Sequence, residues 1–210
     1  MIITYNTCES FKIQLGDTVI ALNPISKRSK LPSASFGADI VLTSLNHEDV
    51  NGIETVARGD ARPFVVQGPG EYEVGGVFVK GFPAVSKMDG VTQTTTIYSI
   101  MLEDSHLCFL GTLGSAELPA ETLEALPDID ILFIPVGGDG VLDPKEARRL
   151  VASLEPRITI PMHYAPNTLS AFLKEEGAAP TPLEKLTIKK KEILEKEGEI
   201  IVLQQQTTNK

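Results

Sequence analysis

The chain has 210 residues, enough for one α/β domain or two small ones. Apolar residues make up 42% and charged residues 22%, the profile of a globular protein rather than a disordered one. With 19 Lys and Arg against 28 Asp and Glu the formal charge is −9, which argues against a surface that tracks nucleic-acid phosphates or adheres to an anionic membrane. The basic run Lys189, Lys190 and Lys191 is answered by Glu192, Glu195 and Glu197 and reads as solvated surface. No segment reaches the ~20 apolar residues of a membrane span, and the first residues lack the basic and apolar regions of a signal peptide. Cys8 and Cys108 are too few and too far apart for a disulfide framework, so a reduced, cytoplasmic setting is expected.

Short β-rich runs fill the first half. Ile2–Tyr5, Phe11–Leu15 and Thr18–Leu22 read as a meander turning at Gly16-Asp17. Ala38–Thr43 is a nearly continuous apolar run, as in a strand covered on both faces. Pro63–Gln67 and Val77–Lys80 are further strands, with a glycine-punctuated loop or hairpin between them. Thr94–Leu102 and His106–Leu110 form a hairpin. From there the rhythm changes to β/α alternation. Pro119–Leu126 is a short helix striped by Leu118, Leu123 and Leu126, and Asp130–Pro135 is a buried strand. Asp143 caps a helix whose Pro144 opens it and whose Glu146 follows three residues after the cap. Ala147, Leu150, Val151 and Leu154 stripe that helix, and Pro156 ends it. Arg157–Pro161 is the next strand, Pro166–Glu176 a helix stopped by Gly177, and residues 187–194 and 199–204 are strand-like. No linker divides the chain, so residues 1–210 are expected to form one domain. A four-layer αββα sandwich fits this order.

Three loops follow buried strands and carry the polar residues expected to converge: SLNHEDVNG from Ser44, GTLGS from Gly111 and MHYAPN from Met162. Their order, with PVGG at Pro135–Gly138 and PMHY at Pro161–Tyr164, resembles the metallo-β-lactamase superfamily over nearly the whole chain. It is most similar to the small metal-dependent hydrolase branch that includes the ascorbate-phosphate lactonases. The resemblance implies the αββα fold, hydrolase ancestry and a two-metal site. It also places a G-H-S-type turn at Thr7-Cys8-Glu9 and a D-P at Asn23-Pro24. Where the family has H-x-H-x-D-H, this chain has Leu45-Asn46-His47-Glu48-Asp49-Val50, so the first and last His are replaced by Leu45 and Val50. The stretch Gly81–Gly90, where a further His belongs, has none, and the bridging Asp is Thr112. His163 in PMHY matches.

Two-metal hydrolysis needs ions about 3.5–4 Å apart with a carboxylate between them. Thr112 has only a neutral hydroxyl to offer, and Leu45 and Val50 offer no lone pairs. What the resemblance leaves as metal ligands is His47, Asp49 and His163, with Asp49, His163 and Thr112 as candidate catalytic groups. Cys8, Asn46, Glu48, Glu71 and Tyr164 are expected around the cleft. Each retained residue also has a structural reading: His47 as a loop-bonding or capping side chain, Asp49 as a helix cap, His163 as a half-buried histidine, Glu71 as a loop-stabilising carboxylate, Cys8 as a small half-buried residue. His106 reads as structural. Three functions follow. The lead is a non-catalytic module, without cofactor, that binds a small molecule or a protein partner. The second is a hydrolase of a small ester, lactone or phosphate-type substrate using one Zn or other divalent ion. The third is a metal-independent enzyme using Cys8, Glu71 or Tyr164. Self-association is implied by the branch.

Overall fold

The computed structural model describes residues 1–59 and 61–206. In chain order its strands are β1 (Ile2–Thr7), β2 (Ser10–Leu15), β3 (Thr18–Leu22), β4 (Ile40–Leu42), β5 (Phe64–Val66), β6 (Gly70–Val74), β7 (Val77–Ser86), β8 (Gln93–Leu102) and β9 (Ser105–Phe109). Helix α1 (Ala120–Ala125), β10 (Ile131–Pro135), α2 (Pro144–Leu154), β11 (Ile158–Met162) and α3 (Pro166–Glu176) follow, then β12 (Leu186–Thr187), α4 (Lys190–Leu194) and β13 (Glu199–Ile200). They build two sheets, of order β12-β1-β2-β3-β4-β5 and β13-β11-β10-β9-β8-β7-β6. This is a mixed α/β sandwich, as the resemblance implies.

Burial explains the layering. Alternate residues of the meander, Ile3, Tyr5, Phe11, Ile13, Ile20 and Leu22, point inward and meet Val79, Tyr98, Ile100, Phe109, Phe133 and Ile160 of the second sheet. Phe11 and Phe133 meet edge-on at 4.9 Å between ring centres. The opposite face of the second sheet, through Cys108, Leu110, Leu132 and Ile134, packs on Ala147, Leu150 and Val151 of α2 and Phe172 of α3. β10 is therefore apolar throughout, because a sheet covers one face and helices the other. On the far side of the first sheet, Val19, Ala21 and Val41 are covered by Val56, Phe36 and Ile53, so a loop and a 3-10 turn do there what α2 and α3 do opposite.

The capping expectation for α2 holds atom by atom. Asp143 Oδ1 accepts from the backbone N–H groups of Lys145 and Glu146, and Glu146 Oε2 accepts from Asp143 N–H. Gly177 ends α3 in the left-handed region. Residues 187–194 depart from the strand reading: only Leu186–Thr187 pair with β1, and Lys190–Leu194 are helical. The apolar residues there do not alternate with period two; Glu192 Oε2 accepts from Lys189 N–H at the start of the turn, Ile193 is buried, and Lys190 Nζ reaches the buried Asp130 at 2.6 Å. In α1 the buried residue is Thr122, and Leu123 of the expected stripe is exposed. The glycine-punctuated segment is the hairpin β6–β7.

One tyrosine ties the sheets together next to the cleft. Tyr98 Oη on β8 donates to Thr43 O at 2.8 Å and accepts from Gly68 N–H at 3.1 Å, linking the ends of β4 and β5 to the second sheet. Tyr98→Phe leaves a carbonyl and an amide without their partner. We expect a loss of about 1–3 kcal/mol in a denaturant titration, with an unchanged m-value.

Candidate functional site

The turn between β1 and β2 and the C-terminal end of β11 come together across the sandwich. Cys8 and Glu9 are the two turn residues, between the paired Thr7 and Ser10. His163 follows β11. Its backbone N–H donates to Cys8 O at 2.7 Å, and Tyr5 Oη donates to the same carbonyl at 2.8 Å. The side chains then meet: His163 Nδ1 lies 2.7 Å from Glu9 Oε1 and 3.5 Å from Cys8 Sγ. Glu9 is fully buried. Its second oxygen accepts from Asn23 Nδ2 at 3.1 Å, and Asn23 is held in turn by Ser44, whose Oγ accepts at 2.8 Å and whose backbone N–H donates at 2.8 Å.

This arrangement sets the charges. Burial pushes the His163 imidazole down, but the Glu9 carboxylate and the hydrogen bonds to Glu9 and Cys8 together outweigh it and hold the group up at about 11. His163 is thus an imidazolium paired with a buried carboxylate. Burial pushes the Cys8 thiol up, and the Glu9 charge adds to it. Cys8 is therefore kept from the thiolate state that a nucleophile needs.

The other loops assemble around this pair. A Cβ on Gly111 would lie 2.6 Å from Ser44 Cβ, so only glycine lets the loop after β9 approach the Asn23–Ser44 contact this closely. Thr112 Oγ1 lies 2.7 Å from Thr95 Oγ1, and Thr95 Oγ1 also contacts Ser44 O at 3.0 Å. A Cβ on Gly137 would lie 2.1 Å from His163 O, which makes that glycine a condition of the His163 backbone path. Seven non-glycine residues among those described have positive φ, and five of them, Cys8, Asn23, Asp89, Asp139 and His163, belong to this cluster or to the cleft beside it. Backbone held in that region concentrates at built sites.

The cleft has a volume of about 490 Å³, and Cys8, Asp49, Met88, Asp89, Asp139, His163 and Tyr164 are among its lining residues. The expected residues divide accordingly. Cys8, Asp49, His163 and Tyr164 reach it. His47 instead sets Nε2 3.0 Å from Asp89 Oδ2, while its Nδ1 accepts from Asp49 N–H at 3.2 Å. Asp49 also accepts from Ser29 Oγ. Asn46 accepts from Asn51 and lines a separate hollow with Gln67 and Thr96. Glu48 is exposed, and Glu71 is exposed on β6 and paired with Lys80 at 2.9 Å, so none of these three lines the cleft. Leu45 and Val50 are buried and pack with Met88 in a small apolar cluster of their own. Among the described residues, the three donor groups that gather within 4.8 Å of one another are Cys8, Glu9 and His163, not His47, Asp49 and His163.

Glu9 is the residue that sequence reasoning passed over. It stands where the resemblance places a small polar residue, and its partner lies 154 positions away. The usable signal was an acidic residue at a two-residue turn opening the apolar strand Ser10–Leu15, a place where a carboxylate becomes buried and needs a cation.

The comparisons agree with this architecture. The sequence profile of the beta-lactamase superfamily domain matches residues 2–163. A UPF0173 metal-dependent hydrolase of Lysinibacillus sphaericus is 26% identical over 196 residues, covering 78% of this chain and 85% of its own length. One from Pyrococcus horikoshii is 30% identical over 179 residues, covering 74% and 79%. Among solved structures, a Thermotoga maritima protein assigned to the Zn-dependent hydrolases of the metallo-beta-lactamase superfamily superposes with a TM-score of 0.78 at 26% identity, over 98% of this chain and 99% of its own. The metallo hydrolase Igni18 of Ignicoccus hospitalis, at 18% identity and TM-score 0.64 over 90% and 99%, shares the fold. With its sheets, its loops and these relatives in agreement, the chain belongs to the beta-lactamase superfamily, in the UPF0173 metal-dependent hydrolase family.

Proposed function

We propose that this chain uses the hydrolase scaffold as a non-catalytic binding module, with a small polar molecule as the ligand of its cleft. The observation that carries the reading is what occupies the positions of the family's metal ligands. Leu45 and Val50 pack on Met88 as apolar side chains, and the Thr112 hydroxyl is engaged with Thr95. Such a donor set does not fit a pair of divalent ions, which requires a bridging carboxylate and several imidazoles. No reaction step is therefore routed through a dinuclear centre.

The cleft suits a ligand in other respects. Its volume falls in the range of small-molecule sites. Asp49, Asp89 and Asp139 line it, so a cationic or hydroxyl-rich ligand is favoured over a phosphate ester. Metal-independent catalysis has little support: burial raises both the Cys8 thiol and the Tyr164 phenol, and Glu71 lies outside the cleft on the exposed hairpin.

Three measurements follow. Protein purified without chelator should carry at most one equivalent of divalent metal by elemental analysis; two equivalents would overturn the reading. Met88→Ala opens a hole under Leu45 and Val50 and should cost about 2–5 kcal/mol in a melt, without altering metal content. Glu9→Ala strips the half-buried His163 of its partner and should cost about 1–3 kcal/mol, whereas Glu9→Ala combined with His163→Ala should lose clearly less than the sum of the two single changes. Additive losses would mean that the pair is not coupled.

A further inference from the structure

The family's metal positions are apolar, yet the same cleft brings together a different donor set. We propose that Cys8, Glu9 and His163 form a single metal site for a thiophilic divalent cation, zinc above all. This deepens the reading of a cleft without a dinuclear centre, and it uses two residues, Cys8 and Glu9, that the family pattern does not employ as ligands.

Four observations support it. The donor types are a thiol, a carboxylate and an imidazole, the combination that selects zinc over magnesium or calcium. All three ligand atoms lie within 4.8 Å of one another. Cys8 Sγ and His163 Nδ1 are 3.5 Å apart; a tetrahedral zinc with Zn–S of about 2.3 Å and Zn–N of about 2.0 Å sets such a pair about 3.5 Å apart. The carboxylate is already oriented from behind, since Asn23 donates to Glu9 Oε2 and is itself fixed by Ser44. An outer shell of that kind is what aims a metal-binding carboxylate.

One distance must change. Glu9 Oε1 lies 2.7 Å from His163 Nδ1, which is hydrogen-bond length. Around a tetrahedral zinc the two atoms stand about 3.3 Å apart, so the carboxylate would draw back about 0.6 Å as the ion displaces the shared proton and the Cys8 thiol releases its own to solvent. Three protein ligands leave a fourth position, and because Cys8 and His163 line the cleft, that position is open to a ligand there. The metal would then anchor a small molecule carrying a lone pair.

The test uses the full chain, stripped with chelator and titrated with Co2+ alone and then with Zn2+. The expected result is one equivalent of cobalt with a thiolate-to-cobalt charge-transfer band, displaced by one equivalent of zinc. Cys8→Ser should abolish the band and weaken zinc binding by about 100-fold or more, beyond the roughly 10–100-fold that outer-shell changes cost. Asp49→Asn should leave both in place. Should Cys8→Ser fail to fold, alkylation of Cys8 in the unaltered chain supplies the same answer, because bound zinc must protect it. Absence of the band at saturating cobalt, failure of zinc to protect Cys8, or one-to-one binding that survives Cys8→Ser and is lost in Asp49→Asn would overturn the site. No binding of either ion would sink this inference and leave the binding-module reading standing; two equivalents indifferent to Cys8→Ser would sink both.

Discussion

The cleft depends on one buried ion pair, Glu9 with His163. It joins the first turn of the chain to the end of β11, and so the meander of the first sheet to the parallel strands of the second. A carboxylate with no solvent exposure is tolerated only when a cation and further donors satisfy it. Here the imidazolium supplies the charge and Asn23 the second hydrogen bond. The positive-φ conformations of Cys8, Asn23 and His163 follow from this demand, since each turns its backbone where the chain must bend to present a side chain to the pair. The glycines at 111 and 137 then permit two loops to close around it.

Within this fold a metal centre normally draws loops from both halves together. In this chain the loops of both halves are also held by contacts of their own. Leu45, Val50 and Met88 hold the loop after β4 by apolar contact, and Thr112 holds the loop after β9 through its hydroxyl. His47 braces Asp89, with Asp49 on its other side. Two retained residues of the family signature thereby serve the shape of the cleft wall.

The parts of the fold legible in the sequence were those written in local chemistry. The α2 cap at Asp143, Pro144 and Glu146, the stop at Gly177 and the all-apolar run of β10 each need only neighbours within a few residues, and each stands as read. Residues 187–194 departed from the strand reading because Glu192 Oε2 accepts from Lys189 N–H at the start of a helical turn that buries Ile193. The site divides on the same line. His163, Asp49 and Cys8 were visible as residues at strand ends and do reach the cleft. The outward position of Glu71 and the pairing of His47 with Asp89 depend on the hairpin β6–β7 and on the turn at Met88–Gly90, which no local pattern announces.

Glu9 and His163 explain each other's presence in the cluster. In a site that holds divalent ions, a histidine at position 163 stays neutral, because the metal takes the lone pair. Take the metal away, and the same imidazole stands buried beside aspartates with a lone pair free to bind a proton. The Glu9 carboxylate 2.7 Å from it makes that protonation favourable. The carboxylate would be costly there on its own, and so would the imidazolium; only together is the buried charge balanced. The first turn and the end of β11 are thus held by a proton shared between two side chains, the proton that an ion bound by Cys8, Glu9 and His163 would displace.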